Sequence, residues 1–129
     1  MAYQPIEEYG VIGNMRTVAL VGMDGSIDWC CLPYFDSPSV FAAILDEHKG
    51  GYFKIGAIGH AVSRQQYHPD TNVLLTYFSS ADGVVLLEDF MPVSGLLGRK
   101  DRPHSPKIVR RMRGVRGTMR MRLECFPAL

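Results

Sequence analysis

The stretch Thr17-Val18-Ala19-Leu20-Val21-Gly22-Met23-Asp24-Gly25-Ser26-Ile27-Asp28-Trp29-Cys30-Cys31-Leu32 holds two β-prone runs around a single turn dipeptide. Val, Ile, Leu and Trp suit a pleated, half-buried surface. Asp24-Gly25 tolerates the positive φ angles of a tight hairpin. The stretch therefore predicts an antiparallel hairpin, with Thr17 to Met23 facing Ser26 to Leu32.

Working outward, β patterning dominates. Phe53, Ile55 and Ala57 alternate after Tyr52, and Val62 to His68 continues as a more polar strand that Pro69 ends. Asn72 to Ser79 and Gly83 to Met91 form a second hairpin pattern across Ser80-Ala81-Asp82-Gly83. Pro92 to Pro106 is dense in Gly, Pro, Ser and charge and reads as a long loop. Lys107 to Arg113 and Thr118 to Phe126 then read as strands joined across Gly114 to Gly117. One segment departs from the pattern: near residues 38–47, Ser37 is placed to cap, Pro38 to start and Phe41, Ile44 and Leu45 to share a face of a short helix closed by Gly50-Gly51. Strands about ten residues apart with one helical insertion describe an all-β protein, an antiparallel β-sandwich or barrel. The final strand leaves a half-open sheet edge that invites pairing with another chain.

At 129 residues, with 47% hydrophobic and 21% charged residues, the sequence supports one domain with a core of its own. No apolar run approaches the roughly 20 residues needed to cross a bilayer, and Glu7 and Glu8 stand where a secretory signal would be basic and then apolar. Three cysteines, Cys30, Cys31 and Cys125, are an odd number that includes a vicinal pair, and they read as reduced thiols filling the core of a cytoplasmic protein. The net charge of +1 divides unevenly: residues 1–98 hold 4 basic and 11 acidic side chains, residues 99–129 hold 10 and 2. That basic segment raises nucleic-acid binding as one reading. Against it, Arg120 and Arg122 alternate with Met119, Met121, Leu123 and Cys125, which is the period of a strand with a solvated face. No aromatic residue is interleaved to stack bases.

Three adjacent carboxylate pairs, Glu7-Glu8, Asp46-Glu47 and Glu88-Asp89, raise glycosidase chemistry, which uses two carboxylates across a scissile bond. Neighbours on a strand point to opposite faces, so Glu88 and Asp89 do not converge there and read as solvated surface charge. His48, His60, His68 and His104 lack metal-ligand spacing, and no metal or cofactor is expected. The segment from Ser26 to Phe41 concentrates the only tryptophan, further aromatics and two aspartates. Aromatic faces beside carboxylates suit sugar rings, and the same composition also suits a core.

Six stretches carry a resemblance: Pro5-Ile6-Glu7-Glu8-Tyr9-Gly10-Val11-Ile12-Gly13-Asn14, Thr17-Val18-Ala19-Leu20-Val21, Asp24-Gly25-Ser26-Ile27-Asp28-Trp29, Phe35-Asp36-Ser37-Pro38-Ser39-Val40-Phe41, Glu88-Asp89-Phe90-Met91-Pro92 and Ile108-Val109-Arg110-Arg111. In these the chain resembles the N-terminal domain of bacterial and archaeal glycoside hydrolase family 15 proteins, the trehalase and glucoamylase-like enzymes. Tyr34 stands where the resemblance leads one to expect arginine. The resemblance implies a supersandwich-like domain, here incomplete, packed on an (α/α)6 barrel that supplies two catalytic glutamates and is absent from residues 1–129. It implies that Trp29, Phe35, Asp36 and Ser37 face the barrel and its sugar pocket, and that this chain contributes no catalytic residue. The expected function is a non-catalytic part of an α-glucoside hydrolase in carbohydrate metabolism. Its expected partners are the barrel, in cis or trans, and α-glucosides such as trehalose or malto-oligosaccharides, with self-association through the open edge. A standalone carbohydrate-binding module is the alternative, and a nucleic-acid-binding β domain the third.

Overall fold

A computed structural model describes residues 5–34, 36–46, 48–93 and 107–128. Among these described residues ten strands follow a short 3-10 turn: β1 Tyr9–Gly13, β2 Val18–Gly22, β3 Ser26–Cys31, β4 Ser39–Phe41, β5 Tyr52–Ala57, β6 Val62–Tyr67, β7 Leu74–Ser79, β8 Gly83–Phe90, β9 Val109–Gly117 and β10 Met121–Phe126. They form two antiparallel sheets. One runs β1-β2-β3-β5-β10 with β4 also on β3, and the other runs β6-β7-β8-β9.

The hairpin pattern at Asp24-Gly25 is realised by β2 and β3. Gly25 takes φ 84° and its N–H donates to the Gly22 carbonyl at 3.0 Å. The β7–β8 hairpin forms across the expected connection, closed by the Ser80 N–H on the Gly83 carbonyl. β6 is the polar strand read from Val62 to His68. The loop read over Pro92 to Pro106 falls largely outside the described residues.

Two expectations about secondary structure are corrected. The helix near residues 38–47 does not form among the described residues: Ser39–Phe41 is a strand, paired with β3 through Cys30 opposite Phe41 and Cys31 opposite Ser39. The reason is tertiary. β5 covers only the first half of this edge of β3, at Ser26 and Ile27, and the segment that fills the other half also buries Phe41, 5% exposed. Only one turn follows, with the Leu45 and Asp46 N–H groups on the Ala42 carbonyl. There the Asp46 carboxylate accepts the N–H groups of His48 and Lys49, a local bond that competes with helix propagation. The second correction concerns Gly114 to Gly117. These residues do not link two strands, because β9 runs through them with a bulge at Val115, where Val84 and Val85 pair with Arg116 and Gly114.

The core lies between the sheets. Ile12, Ala19, Val21, Ile27, Cys30, Phe41, Leu74 and Met91 form one cluster, and Ile55, Phe78 and Leu87 a second. Cys30 and Cys31 are buried free thiols, as core filler requires, and burial, then the neighbouring Cys31, pushes the Cys30 thiol up to about 12. Cys125 is exposed and leaves the expected role.

Candidate functional site

The site expected from sequence centres on Trp29, and the register of β3 fixes where its side chain lies. Ala19 pairs with Cys30 and Leu20 with Trp29, but Val21 pairs with Ile27, so Asp28 is the extra residue of a β-bulge. On either side of the bulge Ile27 and Cys30 turn into the core, while Trp29 lies half-buried beside Leu20 on the outer face of the sheet. The bulge also aims Asp28. Its carboxylate accepts the Tyr9 hydroxyl and the Ser26 hydroxyl, each at 2.5 Å, and its carbonyl accepts the Ile44 N–H.

Asp28 is 7% exposed. Burial raises its carboxyl above the ordinary range, opposed by the hydrogen bonds from Ser26 and Tyr9. Burial, followed by the Asp28 carboxylate, likewise pushes the Tyr9 phenol upward. A raised folded-state value means that the native protein holds this proton more tightly than the unfolded chain. The contribution of Asp28 to stability is therefore greatest below the unfolded carboxylate value, about 4, and is lost as pH rises through the folded value. Urea midpoints measured against Asp28→Asn should accordingly move in favour of the unsubstituted chain as pH falls from 7 towards 4. A pH-independent difference would remove the burial argument.

The reversal after β3 carries the remaining expected residues. The Ser37 hydroxyl accepts the Tyr34 N–H and the Ser37 N–H donates to the Tyr34 carbonyl, both at 3.1 Å, so half-buried Ser37 secures its own turn. Asp36 is exposed on that turn, and Phe35 lies outside the described residues. No hydrogen bond joins Trp29 to Asp36 or Ser37 among the described residues. The fold thus sets these residues along and beyond one strand without linking them. A recess of 540 Å³ lies at the other end of the sandwich, among the β5–β6, β7–β8 and β9–β10 connections.

Beneath the hairpin lies a group that the sequence reading misplaced. Glu88 and Asp89 are 9% and 0% exposed, and not the solvated pair expected. They do point to opposite faces. Glu88 meets Arg111 at 2.5 Å and Arg113 at 3.8 Å on the outside. Asp89 faces inward and takes Arg110 Nε at 2.7 Å and Nη2 at 3.3 Å. Arg110 continues to the Phe53 carbonyl through Nη1 at 2.7 Å and to the Gly25 carbonyl through Nη2 at 2.6 Å, with its guanidinium over the Phe53 ring. One side chain of the second sheet thereby fastens β5 and the β2–β3 turn of the first. Burial raises the Asp89 carboxyl, and the Arg110 cation pulls the other way. Strand parity was the signal available in the sequence: Val85, Leu87, Asp89 and Met91 share one face, as do Ile108, Arg110 and Met112.

Among the described residues no three His, Cys, Asp or Glu side chains gather as metal ligands, and no helix is long and apolar enough to cross a membrane. No solved structure matches the chain. The chain is 48% identical to a trehalase of Thermoplasma volcanium, across 71% of this chain and 15% of that enzyme. It is 31% identical to a trehalase of Mycobacterium tuberculosis, across 98% and 20%, and 46% identical to Trehalase 2 of Sulfolobus acidocaldarius, across 67% and 14%. The chain spans about a fifth or less of the length of these relatives. Residues 1–121 match the family described as trehalase-like, N-terminal, and with an all-β two-sheet fold beneath that match, the chain belongs to the trehalase-like N-terminal domain family.

Proposed function

We propose that this chain is the non-catalytic N-terminal part of a trehalase-type α-glucoside hydrolase, packing on and supporting a catalytic (α/α)6 barrel supplied in cis or in trans. The observation that carries the reading is what the fold does with its buried carboxylates. Asp28 is held by Tyr9 and Ser26, Asp89 by Arg110, and Glu88 by Arg111 and Arg113, so each serves the sandwich and not a scissile bond. The names of the relatives favour trehalose over a starch-type glucan as the substrate of the parent enzyme. In this reading Trp29, Asp36 and Ser37, with Phe35, form the surface turned to the barrel and its sugar. The setting is cytoplasmic, where vicinal thiols such as Cys30 and Cys31 stay reduced.

The test is glucose release from trehalose, maltose and soluble starch by the purified chain, with an intact trehalase as positive control. No release by the chain alone is expected, and release would require a catalytic pair in these 129 residues. A second reading, a standalone carbohydrate-binding module, draws on the half-buried outward position of Trp29. As the only tryptophan, it reports any such binding directly through its fluorescence. A saturable change on titration with trehalose or malto-oligosaccharides would favour the module, and a flat titration the accessory part.

A further inference from the structure

The recess of 540 Å³ at the end of the sandwich is framed by backbone bonds among its three connections. The Ile58 N–H donates to the Arg120 carbonyl at 2.9 Å, which ties the β5–β6 connection to β9–β10. The Thr118 N–H donates to the Asp82 carbonyl at 3.1 Å, which ties β9–β10 to β7–β8. Within that last turn the Ser80 N–H donates to the Gly83 carbonyl at 2.9 Å and the Asp82 N–H to the Ser80 hydroxyl at 3.2 Å. The fold therefore sets the rim before any ligand arrives. Its volume falls within the range of about 300–1,000 Å³ common for small-molecule sites.

The side chains around the recess divide by chemistry. Half-buried Met119 packs against the cluster of Ile55, Phe78 and Leu87 and gives the recess an apolar floor. Ile58, 46% exposed, adds an apolar wall. Gly59 leaves space beside it, since a Cβ there would meet nothing within 4 Å. Arg120, the His60 imidazole and Asp82 border the same recess. Elsewhere in the sandwich, opposite charges brought together are paired, as in Asp89 with Arg110, Glu88 with Arg111 and Asp24 with Lys54. Here they are not: no ion pair or side-chain hydrogen bond joins Arg120, His60 and Asp82 to one another or to another group among the described residues. A cation and a carboxylate are thus held around one apolar floor with neither sign answered.

We infer that this recess binds a zwitterionic small molecule, an α-amino acid with an aliphatic side chain. The Arg120 guanidinium and the His60 imidazole take its carboxylate, the Asp82 carboxylate takes its ammonium group, and its side chain lies on Met119 and Ile58. A singly charged ligand would leave one sign in the recess unanswered, and a neutral one both. The inference goes beyond the accessory reading and uses no residue of the Trp29 surface.

The test titrates the isotope-labelled chain with L-leucine, with isocaproate, which lacks the ammonium group, and with leucinamide, which lacks the carboxylate, and follows backbone amide shifts. Leucine should shift the amides of Gly59, Ala61, Asp82 and Thr118 saturably. Isocaproate and leucinamide should each bind roughly tenfold or more weakly, the loss of one charge-assisted contact. Asp82→Asn should weaken leucine by a similar factor and leave isocaproate unchanged, and Arg120→Gln should weaken leucine and leave leucinamide unchanged. Both variants should keep the melting midpoint of the unsubstituted chain, because neither side chain has a partner in the described fold. Isocaproate binding as well as leucine would make this an anion site, and equal binding of all three a merely apolar recess. Leucine at millimolar concentration leaving these amides unmoved would make it empty surface. Each of these results overturns the inference, and none of them touches the accessory reading.

Discussion

Replacing Arg110 with alanine should cost about 3–5 kcal/mol of folding stability, the range found when one partner of a buried ion pair is removed. For a domain of this size that is a large share of the roughly 5–15 kcal/mol that holds it folded. Asp89, 0% exposed, would be left without its cation, and the Phe53 and Gly25 carbonyls would each lose one donor. Arg110→Lys should fall between, because an ammonium cannot serve a bidentate carboxylate and two carbonyls with one planar fork. The comparison that isolates burial is Arg111→Ala. Its partner Glu88 lies at 2.5 Å, yet the Arg111 side chain is 64% exposed, and the expected loss stays below about 1 kcal/mol. Urea unfolding followed by Trp29 fluorescence measures all three. Equal losses for Arg110→Ala and Arg111→Ala would mean that Arg110 does not fasten the sheets.

Gly25→Ala should be as damaging, for a steric reason that its own control exposes. Gly25 and Gly59 have nearly the same positive φ, 84° and 88°. A Cβ on Gly25 would lie 2.0 Å from the Ile55 carbonyl oxygen, whereas one on Gly59 would meet nothing within 4 Å. Gly59→Ala should therefore carry only the left-handed strain, roughly 1–2 kcal/mol. Gly25→Ala must also displace β5, whose Ile55 N–H donates to the Gly25 carbonyl, with a loss of about 4 kcal/mol or failure to fold. Thermal melts of the two variants side by side decide the matter. Similar midpoints would show that the β2–β3 turn has room that its packing against β5 denies.

The sequence by itself determined the local pieces of this protein. Asp24-Gly25 between two apolar runs specifies the β2–β3 hairpin, and Ser80 to Gly83 the β7–β8 hairpin, because tight turns depend on a few residues and on alternation within a handful of neighbours. The motifs of the hairpin and of Glu88 to Pro92 likewise carried the family, since their order along the chain is itself sequence information. The tertiary structure decided what depends on distant partners. Ser39 and Phe41 became part of a strand because β3 had an open half-edge at Cys30 and Cys31, earlier in the chain, which local capping signals do not register. Asp28 lies on a bulge, with Tyr9 and Ser26 closing on it, because pairing of β2 with β3 shifts between Leu20 and Val21. Strand parity already put Asp89 and Arg110 on the inward face. That they meet there, and reach Phe53 and Gly25 in the other sheet, was set only when the two sheets packed, because a buried charge is tolerated only where its partners converge in space.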